Sequence, residues 1–483
     1  MSHFFKKYFQ ESSNPLLTGL ICGFYPLVFY FSNNFSAINS WEHLGFFLLF
    51  FIGIPLVVFT LASLCFKYSE ILSKYKPHIL FVLIIMTVAT LMSQAMYLTI
   101  KKKLLLGLLI ISVLAAWKLH AHFKKLLVII LLMSILPTLD CIVKIIEHEQ
   151  KMEWAQLPDA IENVKFKETP NIYLIQPDGY VGKDMMESDL YHFNNPFYDW
   201  LEKNNFKVYE NFRSNYPASL TSNSSMFAMK QHRFGKVLFP SIDMPNARDI
   251  IAGDNAAIQI LRNNGYKNFF IVQDEYFQQN RPKSTYDYYN LNLDEIPYFS
   301  NDNNVKKVVF DDLKAAMDTS KISGPRFYFV EKLLPHHIHF SASKEEERDT
   351  YIEKIKEVNT WLETTVNYIS EKDPDAIVII LADHGGWVGL GSYGEMFSTK
   401  DPNQIHSIYS TLAAIKWNGH LKEGMDDNLK SNVNVFRILF SILSENPEYL
   451  KYLEEDSSYN LKNGTFYKSV RPVIDDSGKV ILN

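Results

Sequence analysis

Two acid-bearing strand ends carry the residues best suited to chemistry. The stretch 171–180, NIYLIQPDGY, ends an apolar run in Asp178-Gly179; 376–387, AIVIILADHGGW, ends a longer one in Asp383-His384-Gly385-Gly386. Each alone reads as a strand-to-loop turn, since Asp-Gly is a common turn pair. Together they say more, because two buried strands of one sheet would deliver Asp178, Asp383 and His384 to the same edge. Two carboxylates and an imidazole suit a divalent metal, Zn²⁺ or Mn²⁺ first, with Mg²⁺ or Ca²⁺ as alternatives. Gly385 and Gly386 are expected to let backbone approach the ion or its ligand closely.

A metal site needs a reacting group. Ser219, Thr221, Ser222, Ser224 and Ser225 put five hydroxyls within seven residues, just before the chain turns apolar. That placement predicts a helix N-terminus, where Ser and Thr cap free N–H groups and where phosphate or sulfate is favoured. A metal that lowers the hydroxyl pKa would make one of the five a nucleophile, and spacing leaves open which. The segment LLPHHIHF follows a strand and clusters His336, His337 and His339 as metal ligands or as donors to a transferred group's oxygens. His406 and His232 are lesser candidates, and Arg213 is either a phosphate clamp or a surface residue.

These residues need a scaffold, and the second part of the chain supplies its pattern. Short apolar runs at 172–175, 269–272, 308–310, 327–330, 376–381 and 412–415 predict strands. Helical patterns near 195–205, 255–264 and 345–369 lie among them, the last with solvent-facing pairs such as Glu353 and Lys356. Strand and helix in alternation predict an α/β domain with a mostly parallel central sheet, which binds ligands outside the carboxyl ends of its strands.

The first part is different. Apolar stretches at 16–31, 44–66, 79–100, 104–119 and 126–143 predict an α-helical membrane domain of five spans. The expected organisation is a transmembrane domain over 1–146, a charged linker over 147–168 and an extracytoplasmic catalytic domain over 169–483. Lys6, Lys7, Lys67, Lys74 and Lys76 favour a cytoplasmic N-terminus, although Lys101, Lys102 and Lys103 would then face outward. Residues 1–150 hold 12 Lys and no Arg against 6 acids, a net of +6, so the −5 of the whole chain leaves the rest at −11. That balance excludes a general affinity for nucleic acid. All three cysteines, Cys22, Cys65 and Cys141, lie in the first part, so the second uses neither disulfides nor a cysteine nucleophile.

Taken in order, IQPDGY, FNNPFYDWLEKNNFKVYENFRSNYP, AAIQILRNNGYKNFFI, LLPHHIHF, IILADHGG and STLAAIKW resemble the alkaline phosphatase/sulfatase superfamily. Within it the chain is similar to membrane-anchored sulfatase-like transferases such as lipoteichoic-acid synthase and the phosphoethanolamine transferases. The resemblance implies an alkaline-phosphatase-like fold, with Asp178, Asp383 and His384 as metal ligands. It implies Ser219, with Ser222 three positions on, as nucleophile and ligand ahead of Thr221, and His336 as a substrate contact. His337, His406 and Arg213 complete the substrate-binding candidates. The chain carries Asp178 where those transferases have Glu, lacks their outer-domain cysteines, and lacks the sequence context of a formylglycine sulfatase.

The implied activity is transfer of a phospho-head-group, phosphoethanolamine or phosphoglycerol, from a phospholipid to a surface glycan or glycolipid through a covalent serine intermediate. The expected location is the bacterial inner membrane, with the catalytic domain on its periplasmic or extracellular side. Two rival expectations are a hydrolase of the same fold, either sulfatase or phosphodiesterase, and a catalytically silent relative that binds lipid or a partner protein.

Overall fold

The computed structural model describes residues 14–149, 153–233, 244, 246–300, 304–318, 323–336, 343–461 and 470–482. They divide into two units: Met1–Gln150 with Pro297–Asn301, and Lys151–Ile296 with Asp302–Asn483.

The larger unit is built on a seven-stranded sheet. Its strands are β1 (Ile172–Pro177), β2 (Lys207–Val208), β3 (Lys267–Ile271), β4 (Tyr288–Tyr289), β5 (Arg326–Lys332), β6 (Ile377–Leu381) and β7 (Ala413–Lys416), in the order β2-β7-β6-β1-β5-β3-β4. The run β6-β1-β5-β3-β4 is parallel, and β7 and β2 join antiparallel at one edge. A separate hairpin pairs β8 (Ser458–Leu461) with β9 (Val470–Ile474).

Period-2 alternation assigns every central side chain to a face. Ile172, Leu174, Phe270, Val272, Phe327, Phe329, Ile377, Ile379 and Leu381 pack on one side with the Ser219–Ala228 and Val435–Ser444 helices. Tyr173, Ile175, Phe269, Ile271, Tyr328, Val330, Val378 and Ile380 pack on the other with the long Lys344–Lys372 helix, through Tyr351, Ile355, Val358 and Leu362. That helix starts where Ser343 accepts from Glu346 N, with three glutamates in its first turn and Lys372 in its last, as the macrodipole favours. One predicted strand is a helix: 308–310 opens Val309–Met317, because Val309, Leu313 and Ala316 bury one helical face behind Asp311 and Asp312. Arg437 and Asp159 form a buried ion pair at 2.8 Å, and Ile161 and Val164 enter the core beside it.

In the smaller unit, four helices are long and apolar enough to cross a membrane: Pro15–Ile38, Trp41–Tyr68, Lys76–Tyr97 and Lys102–Ala155. The count differs from the expected five because stretches 104–119 and 126–143 fall within one run of 54 residues. Their connection is a 3-10 turn, His120–His122, flanked by Lys118, Lys124 and Lys125. Leu49, Leu106, Leu114 and Leu136 are exposed, which is the surface a lipid environment accepts. Within this unit Tyr298 stacks on Phe46 at 4.2 Å, and Phe299 sits 5.0 Å from Phe47 and 5.1 Å from Phe50.

Two of these helices meet backbone on backbone. A Cβ added at Gly23 would stand 1.9 Å from Phe51 O, and one at Gly19 would stand 2.9 Å from Leu56 Cα. Small residues four apart let membrane helices approach closely where apolar burial gives no drive. Phe51 lies in the π-helical turn Leu48–Gly53, where the two backbones meet. Gly23→Val should therefore part these helices and cost about 2–3 kcal/mol. Gly45→Ala, with nothing within 4 Å of the new Cβ, should be close to neutral. Thermal unfolding of both variants in detergent measures the difference.

Candidate active site

The same-face alternation that builds the core delivers acids to its edge. Counting on by twos, β1 reaches Asp178 beyond Gln176, β6 reaches Asp383 beyond Leu381, β5 reaches Glu331 and β3 reaches Asp274. In spatial order the row runs Asp383, Asp178, Glu331, Asp274, and all four are at least nine-tenths buried.

The Asp178 turn is fixed from several sides. Asp178 N donates to Lys332 O at 3.0 Å, Gly179 N donates to Asp383 Oδ1 at 3.2 Å, and Tyr351 OH donates to Gly179 O at 2.7 Å. Gly179 has φ +70°, a left-handed conformation that favours glycine in this turn. After β6, His384 Nδ1 bonds to Gly385 O at 2.8 Å, which assigns the proton to Nδ1 and leaves Nε2 facing the acids. Nε2 lies 3.4 Å from Asp178 Oδ1 and 3.7 Å from Asp383 Oδ2. Gly385 and Gly386 serve packing, a correction to the expected approach to an ion. A Cβ would stand 2.0 Å from Ser407 O at Gly385 and 2.4 Å from Tyr191 OH at Gly386.

The five hydroxyls separate by geometry. Thr221 donates to Ala218 O at 3.0 Å, Ser222 to Asp383 O at 2.6 Å, Ser224 to Thr221 O at 3.2 Å and Ser225 to Lys230 O at 2.7 Å. Ser219 Oγ instead lies 3.4 Å from Asp178 Oδ1 and also bonds Asp383. Ser219 is the first residue of its helix, behind Ala218, and no side chain caps that end. The predicted helix start is there, with its Ser219 hydroxyl turned to the acids and not to the helix N–H groups. Cross-links hold the helix in place: Gln176 and Asn223 exchange two bonds of 2.8 and 2.9 Å, and Asn432 donates to Asp383 O at 3.0 Å. His232 donates from Nε2 to Thr221 O at 2.8 Å while its ring stacks on Tyr216 at 4.1 Å.

His336 joins the group. Its Nδ1 lies 2.5 Å from Asp178 Oδ2, its N donates to Asp178 O at 2.9 Å, and its side chain is half exposed. His337 and His339 lie outside the described residues. Arg213 and His406 stand apart from the group. The Arg213 guanidinium donates from Nε to Asp456 O and from Nη2 to the carbonyls of Asp475 and Asp476, so these donors serve main chain. His406 is half-buried in the Pro402–Tyr409 helix, and burial lowers its pKa.

A cavity of about 410 Å³ is lined by Ser219, Asp178 and His336, and also by Asp274, Glu331 and Lys306. Sequence reasoning missed those last three. The available signal was parity: Glu331 is two residues past Phe329, on the core face, where a strand end should bear function.

Charge is crowded here. Burial raises the Asp383 pKa, His384 pulls it back and Asp178 pushes it further up. Burial would lower His384, but Asp383 and the bond to Asp178 carry it up to about 9. His336 is likewise raised, its bond to Asp178 outweighing burial. Glu331 is pushed well above the carboxylate range by burial and then by Asp274, Asp178 and Asp383. Asp178, Asp383 and His384 each offer a ligand atom, and these atoms lie within 4.8 Å of one another. Two carboxylates plus an imidazole with Nδ1 already engaged form a donor set that fits a divalent cation, which would offset the crowding.

A family model described as Sulfatase matches residues 170–444, which is the sheet and its acid-bearing edge. The chain belongs to the sulfatase family. It is an enzyme of the sulfatase-like phosphotransferase or hydrolase type. No curated protein matches it. Among solved structures it is similar to the C-terminal periplasmic domain of EcEptC from Escherichia coli, at 13% identity and TM-score 0.44 over 66% of this chain and 96% of that one. It is also similar to the integral membrane lipooligosaccharide phosphoethanolamine transferase A of Neisseria meningitidis, at 11% and 0.43 over 90% and 96%.

Asp383→Asn should lower bound divalent metal by about one equivalent, measured by elemental analysis of the purified protein. It should also abolish the drop in unfolding temperature that a chelator causes in the parent, where a site saturated about 100-fold above its Kd contributes about 2.7 kcal/mol. His232 gives a pH dependence. Burial lowers its pKa from 6.5 to about 4, so between those values the unfolded chain binds more protons and folding loses stability as pH falls. The loss should approach about 3 kcal/mol at pH 4. His232→Gln should flatten that part of the pH–stability curve in denaturant titrations.

Proposed function

We propose that this enzyme is a membrane-anchored, metal-dependent transferase. It moves a phospho-head-group, phosphoethanolamine or phosphoglycerol, from a phospholipid to a surface glycan or glycolipid through a covalent intermediate on Ser219. The observation that carries this is Ser219: the one hydroxyl of five that faces the carboxylates, at an uncapped helix start, on the wall of a cavity. Asp178, Asp383, His384 and Ser219 would hold the ion, Zn²⁺ or Mn²⁺ by donor type, with Mg²⁺ or Ca²⁺ as alternatives. When bound, it lowers the serine pKa and polarises the phosphoryl oxygen.

The chain's own groups do the rest. Ser219 Oγ attacks phosphorus, its proton passes to the neighbouring carboxylates, and the bond from phosphorus to the diacylglycerol oxygen breaks. The first N–H groups of the Ser219–Ala228 helix face the phosphoryl oxygens. His336, held through Nδ1 by Asp178, keeps Nε2 for the transferred group or for the departing oxygen, which takes up a proton. In the second half an acceptor hydroxyl attacks the same phosphorus and gives up its proton to His336, the bond from phosphorus to Ser219 Oγ breaks, and Oγ takes a proton back from the neighbouring carboxylates.

The helices fit a donor drawn from the bilayer. The Lys102–Ala155 run has 54 residues, over twice the roughly 20 of one crossing, and its turn at His120–His122 allows two. With a cytoplasmic N-terminus set by its lysines, the catalytic unit then stands on the outer side of a bacterial inner membrane.

Parent protein incubated with labelled phosphatidylethanolamine or phosphatidylglycerol should gain a covalent mass on Ser219. Ser219→Ala should form no adduct and lose about 1,000-fold or more in turnover. An adduct on the alanine variant overturns the assignment, and release of free phospho-head-group regardless of glycan would make the enzyme a hydrolase.

A further inference from the structure

Two of the four acids in the row are left over by this reading. Asp383 and Asp178 meet His384 and Ser219, whereas Glu331 and Asp274 continue the row along β5 and β3. Both line the cavity that Ser219 opens into. Glu331 is 2% exposed, and its Oε2 is buried with no hydrogen-bond partner. A buried carboxylate oxygen left in this condition is costly unless a cation or donor arrives to meet it. Of the cavity's two basic side chains, Lys306 is exposed and His336 is bonded to Asp178.

Register sets how far away that cation must be. Glu331 pairs with Gln176 across β1 and β5, and Asp178 is two residues further along the same face. Adjacent strands lie about 4.8 Å apart and two residues advance about 6.6 Å, so Glu331 stands one small group away from the phosphorus site. In a 2-aminoethyl phosphoester the nitrogen lies up to about 5 Å from phosphorus, by ordinary bond lengths. A second metal fits less well: among the described residues only Asp178, Asp383 and His384 bring three ligand atoms together, and Glu331 with Asp274 supplies two acids.

We infer that Glu331 and Asp274 form the subsite for a positively charged amine on the transferred head group, so that the enzyme selects an ammonium-bearing phospholipid over one with a neutral polyol. This rests on the transferase reading above and divides its two donors. A glycerol head group would leave the buried Glu331 Oε2 without a cationic partner; an ethanolamine ammonium supplies three N–H donors and the charge.

The experiment measures the mass adduct on Ser219 with vesicles of phosphatidylethanolamine or of phosphatidylglycerol, at equal lipid concentration and fixed metal. The parent should form adduct with phosphatidylethanolamine about 10- to 100-fold faster, the range of one charged hydrogen bond. Glu331→Gln and Asp274→Asn should each bring that ratio toward one, while unfolding temperature and metal content, read on the same samples, report that the fold and metal group are intact. Equal parent rates with the two lipids overturn the inference and leave the transferase reading standing. An unchanged ratio in both variants also overturns it, as does a second equivalent of metal lost with Glu331→Gln, which would make the occupant an ion. No adduct from either lipid would instead overturn the transferase reading itself.

Discussion

The interaction on which the site depends is repulsion among buried carboxylates. Asp178 and Asp383 sit on neighbouring strands with their side chains on one face, out of water, and Glu331 and Asp274 extend the same row. Such a row is unfavourable by itself, since neither burial nor like charge favours ionisation. It persists because the sheet dictates where each side chain points: strands apolar on both faces have two packed cores to satisfy, and a register slip would exchange them. The rigidity that gives the core its order also holds the acids together until a cation relieves them.

The hydroxyl that faces the acids is as well fixed as they are. The Ser219–Ala228 helix is wholly buried, and its polar residues work as clamps: Ser222 and Asn432 on Asp383 O, Asn223 on Gln176, Thr221 O on His232. Each satisfies a buried polar group that would otherwise be costly, and each removes a motion that would carry Ser219 away from Asp178. This explains why a hydroxyl-rich segment, which favours helix ends over helix interiors, forms a buried helix here.

Much of this was legible in the chain. The acids at 178 and 383 and His384 could be placed at one edge because continuous apolar runs imply a parallel sheet and parallel sheets share their carboxyl ends. What was not legible depended on neighbours distant in sequence. The choice among five hydroxyls followed from which carbonyls happened to lie beside four of them. Gly385 and Gly386 looked like room for a ligand, yet they make room for Ser407 O and Tyr191. The segment 308–310 has a strand's composition, but Asp311 and Asp312 start a helix whose apolar residues recur at helical spacing. Arg213 resembled a phosphate clamp until its carbonyl partners from the C-terminal segment were known. Glu331 was hidden by a boundary drawn one residue early, which concealed its parity with Phe329.

The membrane unit obeys a different rule. Lipid offers no hydrophobic gain for bringing helices together, so shape has to do it, and Gly19 and Gly23 let one helix touch the backbone of the next. The polar exceptions are neutralised in place: Asp140 accepts from Ser32 at 2.6 Å and pairs with Lys144 at 2.9 Å. The apolar helices and the metal-binding sheet belong to one chain, with 22 residues between Glu149 and Ile172. Tethering of this kind makes a lipid substrate effectively concentrated and a soluble one no more accessible than before. An enzyme whose chemistry needs only a phosphoester gains from an anchor chiefly when the phosphoester is itself held in the bilayer. The lipid donor proposed above would give the two halves of the chain, built by different physics, one substrate.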